Sequence, residues 1–357
     1  MRMIPIDNVK PGMLLGKTIY REEDGKILLG AYTVLKANYI EKLRKLNFNY
    51  LCICDTAPSQ EDLLLQPVKD ETKIKAIQVL KSTIKQAQQE GELKITKVRK
   101  AVEEVLNEIL RDNRVVYNLV DINSHDNYTY THSLNVTILS LLIGSRQNHS
   151  RSDLELLGTG AMLHDIGKIM IDQRILNKPA RLDPDEFLVM KEHARKGFEI
   201  LKDKVVNSYV PAHIALQHHE REDGSGYPKG IAGKSIHRFS KIVAVADVFD
   251  AMTSNRVYQM ARPPVLALRE ILRGADRKYD RNAVECLLEV VAAYPTGSLL
   301  RFENGLQGVV ICVSRGQCLA ELTDGPLRGE VVDIYHNPEF EVAEVQRDPK
   351  NYIPDAG

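Results

Sequence analysis

One carboxylate constrains this chain more than any other feature. In "KIVAVADVFDAM", Lys241 to Met252, Asp247 sits in a run with almost no other polar residue until Asp250. The run predicts a buried helix. A carboxylate taken out of water is costly unless a cation or hydrogen-bond donors meet it. The fold must therefore bring partners to Asp247 from elsewhere in the chain. They are either donors that make it a structural residue, or a metal with its other ligands.

Histidines in the same region are the available partners. Of the 10 in the chain, several have acidic or histidine company. They are His132 in "YTYTHSLNVTIL", His164 beside Asp165 in "LHDIGK", His193 in "MKEHARKG", and the pair His218-His219 in "QHHEREDGSGYPKG". His164 follows the apolar "GTGAML" and so points inward. The His164-Asp165 pair reads either as a hydrogen-bonded helix end or as two ligands, with a carboxylate able to bridge two cations. His132 and His193 are ordinary when taken alone. Adjacent helical positions diverge by about 100°, so His218 and His219 can serve one site only where a helix ends, and "EREDGSGYP" supplies that ending. Glu220, Glu222 and Asp223 read either as residues that orient the ligands or as solvated residues of that loop.

Taken together, these residues are ligand stock for a two-metal centre in a helical bundle. All are nitrogen and oxygen donors, which favours iron, manganese or another first-row ion over a cysteine zinc site. Two cations suit phosphodiester hydrolysis, in which metal-bound hydroxide attacks phosphorus while the cations offset charge on its oxygens. Lys168, three residues beyond Asp165, is placed to hold a phosphate.

Composition narrows the partners. The chain has 357 residues, 43% hydrophobic and 27% charged, which fits two or three soluble globular domains. Its 48 basic and 48 acidic residues balance, leaving no electrostatic footprint for long nucleic acid, whereas a small anion needs only a local basic cluster. The 5 cysteines form no disulfide framework, and Cys52 and Cys54 alternate in the strand-like "YLCICD". The start lacks a signal-peptide core and no segment is apolar enough to span a membrane, so the expected location is cytoplasmic.

The chain divides by pattern into four parts. Residues 1–67 mix strand-like alternation with the helical "NYIEKLRKLN". Residues 68–114 are charged and helix-forming, broken at Gly91; they are a linker or a dimerising helix pair. Residues 115–293 are mostly helical. One start is read at Ser152 with Glu155 in capping-box register, another at Asp183 with Pro184 and Glu186 behind it. Residues 294–357 show short apolar runs and the hairpin signal Asn304-Gly305, a small β domain.

At this point "HDIGK", "HHEREDGSGYP" and "ADVFDAMTSNRVY", in this order, resemble the HD-GYP family of bacterial metal-dependent phosphodiesterases that degrade cyclic di-GMP. The resemblance covers about residues 115–293. It implies a mainly α protein, a central all-helical HD-type bundle flanked by a small mixed α/β domain and a small β domain. It implies His132, His164, Asp165, His193, His218, His219 and Asp247 as metal ligands, with Asp165 bridging. Lys168 matches a lysine that contacts the scissile phosphate, and Arg256 a phosphate-binding arginine. Tyr227 matches a signature loop that shapes ligand binding and partner contacts. The implied cofactors are two divalent ions, iron or manganese. The implied partners are cyclic di-GMP and a protein at the loop around Tyr227; a second copy of the chain follows only if the helical linker is the dimerising pair.

Three positions depart from the family pattern. Ala194 stands where proline is frequent. Tyr128 stands where some members carry a glutamate for a third metal, which favours two. Gln259 stands where a basic residue is frequent, and this removes one phosphate contact. The alternatives to a cyclic di-GMP phosphodiesterase are a cyclic-dinucleotide receptor with weak turnover and a hydrolase of another cyclic dinucleotide.

Overall fold

The computed structural model describes residues 2–16, 18–20, 27–30, 32–46, 48, 50–54, 68–91, 93–111, 128–178, 180–205, 208–254, 262, 264–291, 294, 298–314 and 317–346. The chain is mainly α-helical, with a small mixed region ahead of the helices and an antiparallel sheet after them.

The first region holds β1 (Arg2–Pro5), β2 (Leu14–Leu15), β3 (Ile19–Tyr20), β4 (Ile27–Leu29), α1 (Ala37–Lys45) and β5 (Tyr50–Cys54). An antiparallel sheet forms in the order β1-β5-β2. Strand alternation turns Leu51 and Ile53 to one face, where they meet Leu15, Leu35, Ile40 and Leu43 in a separate small core.

The helices share a second, much larger core. Helices α2 (Asp70–Glu90) and α3 (Thr96–Ile109) form a hairpin. Gly91 ends α2 at φ 70°, a left-handed conformation that costs glycine little, as the sequence predicts. Val98, Val102, Val105 and Leu106 of α3 are buried in the core that also holds α4 (Tyr128–Arg146) and α5 (Arg151–Met162). The bundle continues through α6 (Pro184–Leu201), α7 (Val210–Gln217), α8 (Arg238–Thr253), α9 (Pro264–Arg273) and α10 (Arg281–Val290). Helix α4 lies at its centre, against α2, α3, α5, α8 and α10. From Leu134 to Ile143 every residue is buried, Asn135, Thr137 and Ser140 among the apolar ones, because the helix is covered on all sides.

The helix starts show why the segments break where they do. Asp183 and Glu186 close a full capping box on α6, with Pro184 at its first turn, as expected. Helix α5 differs from expectation. Its cap is Ser150, not Ser152, because the Ser150 backbone is extended (φ −63°, ψ 157°) and its hydroxyl accepts the Asp153 N–H. Ser152 is already helical, so the Ser152/Glu155 register is not used.

A 3-10 turn, Ile166–Met170, follows α5 and lies directly on α6. At Gly167 the two backbones touch: a Cβ there would stand 1.9 Å from the His193 carbonyl oxygen and 2.5 Å from Gly197 N. Only glycine permits that approach.

The final sheet holds β6 (Leu299–Phe302), β7 (Gln307–Ser314), β8 (Gln317–Leu322), β9 (Val331–Asp333) and β10 (Val342–Gln346), antiparallel in the order β10-β6-β7-β8-β9. Gly305 turns the β6–β7 hairpin at φ 86°. Leu300, Phe302, Val310 and Cys318 join the helical core. Arg269 of α9 fastens the sheet, donating to the Ile334 and Phe340 carbonyls at 3.3 Å and pairing with Glu341 at 3.0 Å. Among the described residues, no helix is long and apolar enough to cross a membrane.

The contact at Gly167 gives a test. Gly167→Ala is expected to destabilise the protein by about 1–3 kcal/mol and to lower its metal content, measured by chemical unfolding and elemental analysis.

Candidate metal centre

Five pieces of the bundle converge on one buried point. Helix α4 carries His132. The end of α5 and the turn after it carry His164 and Asp165, and α6 carries His193. The C-terminal end of α7 carries His218 and His219, and α8 carries Asp247. Helix α7 stops at Gln217 with His218 as its C-cap, so the adjacent histidines escape helical divergence, as the loop composition predicts.

Backbone carbonyls orient most of the rings. His164 Nδ1 faces Ala161 O at 2.8 Å and His193 Nδ1 faces Met190 O at 2.7 Å. His218 Nδ1 lies 2.9 Å from Ala215 O and 3.1 Å from Ile214 O. A carbonyl only accepts, so each Nδ1 carries the proton and each Nε2 keeps its lone pair. In every case Nε2 points to Asp165.

The Asp165 carboxylate faces both ways. Its Oδ1 lies 3.5 Å from His193 Nε2 and 3.9 Å from His218 Nε2. Its Oδ2 lies 3.3 Å from His164 Nε2 and 3.9 Å from His132 Nε2. Asp247 closes the far side, with Oδ1 3.2 Å from His132 Nε2 and Oδ2 3.8 Å from His219 Nδ1. The donors sort into two sets, Asp165, His193, His218 and His219 in one, and His132, His164 and Asp247 in the other. His164 Nε2 and Asp165 Oδ1 are buried without a hydrogen bond. Two orphaned ligand atoms in a wholly nitrogen-and-oxygen donor set are what divalent cations would satisfy.

Protonation fits the same use. Burial, helped by His164 and His193, pushes His218 down to about 3. Burial likewise holds His219 well below its ordinary value. Both are neutral, as ligands must be. Burial alone would raise Asp165, but Lys168 and His164 outweigh it and hold the carboxyl well below the usual range. Asp247 is held low against burial by its hydrogen bond with His132. Burial would lower His132, yet Asp247 and Asp250 raise it to about 9.

The surrounding loop is built tightly. A Cβ on Gly226 would stand 2.5 Å from His219 O and Arg221 N, so the chain can pass only as glycine. Tyr227 donates its N–H to His219 O at 3.2 Å and lays its ring 4.5 Å from the His219 ring. Of the two readings for Glu220, the solvated one fails. It is buried, and its carboxylate accepts the Lys229 N–H at 2.8 Å and the Ile231 N–H at 3.2 Å, which closes the loop from behind. Glu222 also has a partner, Lys241 at 2.9 Å, while Asp223 stays exposed and binds Ser225.

The HD domain family profile matches residues 114–283. A cyclic di-GMP phosphodiesterase of Pseudomonas aeruginosa is 34% identical over 210 residues, covering 59% of this chain and 50% of that protein. A cyclic di-GMP phosphodiesterase of Thermotoga maritima is 44% identical over 168 residues, covering 46% of this chain and 45% of that protein. Residues 114–283 thus match the HD domain family, and these relatives are what that part of the chain is similar to. The chain spans about half the length of these curated relatives. The fold is shared with the HDG"Y"P protein Bd1817 of Bdellovibrio bacteriovorus, with a TM-score of 0.53 and 15% identity over 80% of this chain and 97% of that one.

Within the residues that match the HD domain, all seven expected ligands come together, and Lys168 stands beside them with Nζ 2.5 Å from Asp165 Oδ2. Arg256 and Gln259 lie outside the described residues. Sequence reasoning passed over Asp250. It is buried, faces His132 Nδ1 at 2.6 Å and accepts from Asn135 at 2.9 Å. The signal was present: two aspartates three residues apart share one helix face. His213 and His237 stack on each other, 6.3 Å apart, beside Phe198 and Phe239, not on the metal ligands.

Two measurements test this geometry. A cation must displace the His132 proton, so affinity for Mn²⁺ is expected to rise about tenfold per pH unit from pH 7 until it levels near pH 9. In the metal-free protein the sign is opposite. The His132 pairing stabilises fully below its unfolded pKa, about 6.5, and is lost as pH rises through about 9. Competition titration and unfolding at several pH values read the two effects. Asp250→Asn is expected to weaken Mn²⁺ binding by about 10–100-fold, because His132 loses the carboxylate that orients it.

Proposed function

We propose that this protein is a metal-dependent phosphodiesterase that hydrolyses cyclic di-GMP to pGpG, GMP or both. The observation that carries this is a single carboxylate, Asp165, with one oxygen toward each of two buried donor sets. The relatives named as cyclic di-GMP phosphodiesterases support the substrate class.

His132, His164 and Asp247 would hold one cation and His193, His218 and His219 the other, with Asp165 shared. We assign two divalent ions, iron or manganese, from this donor chemistry. When bound, such ions polarise phosphoryl oxygens and acidify water. The chain's own groups do the rest. Asp247 and Asp165 stay ionised and concentrate negative charge where cations are needed. Lys168 keeps its ammonium partly exposed above Asp165, within reach of a phosphate oxygen and of the leaving oxygen. Tyr227 covers His219 and shields that wall from water. We assign Arg256 to a second phosphate contact from its place in "SNRVY". We assign residues 115–293 to the catalytic domain, with residues 1–67 and 294–357 as modules joined to it.

The test is turnover of cyclic di-GMP by protein purified without air and loaded with Mn²⁺ or Fe²⁺, followed by chromatography of the products. Asp165→Ala is expected to lower kcat by about a thousandfold or more, and a chelator should abolish turnover. Tight binding of cyclic di-GMP without hydrolysis in metal-loaded wild type would overturn the proposal in favour of a receptor.

A further inference from the structure

Beside the metal centre, α6 exposes an aromatic ring that its packing does not explain. Phe187 is 44% exposed, one turn into the helix. Its ring centroid lies 6.3 Å from that of Tyr227, at 77°. Tyr227 in turn lies 6.4 Å from His193 and 4.5 Å from His219. A continuous path of ring contacts therefore runs from the metal ligands out to solvent and ends on Phe187. Lys191, one turn along the same face, holds its Nζ 4.7 Å over the Phe187 ring and 5.5 Å over Tyr227.

We propose that Phe187 and Lys191 form the base-reading wall of the site: a purine stacks on Phe187, and Lys191 donates to its edge. This rests on the cyclic-dinucleotide function proposed above and names the part of the substrate that the metal centre cannot read. The metal ligands and Lys168 meet phosphate, which is the same in every cyclic dinucleotide. A base joined through its ribose to a phosphate at the centre extends toward the outer end of the ring path. There it finds the part-exposed Phe187 ring, and an aromatic face binds bases by stacking without regard to sequence once Lys191 has turned aside. The ammonium adds the discrimination. Guanine offers two acceptors, O6 and N7, along one edge, whereas adenine presents N7 beside a donor amino group. A three-donor ammonium satisfies the first edge better than the second. Lys191 is not held by an ion pair among the described residues, so only its contacts over the two rings give way when it turns to a base.

The experiment uses the full chain loaded with Mn²⁺. It measures the Kd for cyclic di-GMP and cyclic di-AMP by calorimetry, and kcat and KM for both. Phe187→Ala should raise Kd and KM for cyclic di-GMP about tenfold, or about 1.4 kcal/mol, with kcat within about twofold. Phe187→Trp should bring both back near wild type, and Phe187→Leu should not, because apolar bulk alone does not stack. Lys191→Met should lower the preference for cyclic di-GMP over cyclic di-AMP about tenfold. Unfolding midpoints of the variants separate these effects from loss of fold, and Phe187→Trp carries the test if Phe187→Ala is unstable. An unchanged Kd in Phe187→Ala, or rescue by leucine equal to that by tryptophan, overturns the stacking wall. If wild type binds cyclic di-GMP but does not cleave it, the catalytic proposal fails while the Kd changes still decide this one. If wild type neither binds nor cleaves, both fall.

Discussion

Asp165 is the constraint on which the structure turns. A buried carboxylate with imidazole nitrogens on both sides has no water to solvate it, so its position is tolerable only if the surrounding charges are fixed. The bundle fixes them by main chain rather than by side-chain networks. His164, His193 and His218 each bond a carbonyl three residues back, at Ala161, Met190 and Ala215. Each helix thereby sets the tautomer of its own ligand. His132 differs from these three and depends on another side chain, Asp250. The surroundings of His132 raise it, whereas burial lowers His193, His218 and His219, which makes α4 the proton-sensitive side of the centre.

Much of the site was legible in sequence because expensive residues announce themselves. Asp247 in an apolar run, His164-Asp165 after another, and paired histidines at a helix end each violate the composition of an ordinary core. What was not legible depended on distant backbone. Glu220 resembles its neighbours Glu222 and Asp223 in a charged loop. It is buried only because the chain folds back and points the Lys229 and Ile231 N–H groups at it. Ser150 and Ser152 compete for one helix start, and the local sequence suits both; the extended Ser150 backbone decides. The hairpin of α2 and α3 shows its apolar spacing plainly, yet spacing cannot say what covers it. The structure places α3 against α4 and α5 of the same chain.

The signature loop gains a physical account from these contacts. Gly226 is required by backbone crowding against His219 and Arg221, and Glu220 ties the returning strand of the loop. Tyr227 is thereby held against a metal ligand at its base and against Phe187 and Lys191 at its rim. The loop is a bridge between the buried donor set and the exposed face of α6, so chemistry and recognition share one support.

Gly167 has a wider consequence. The spacing between the Asp165 turn and the His193 helix is set by two main chains in contact, with no side chain between them. Main-chain contact does not depend on which apolar residues fill the neighbouring core. The distance between the two donor sets can therefore persist while the packing around it is replaced through evolutionary drift, so long as one position never gains a methyl group.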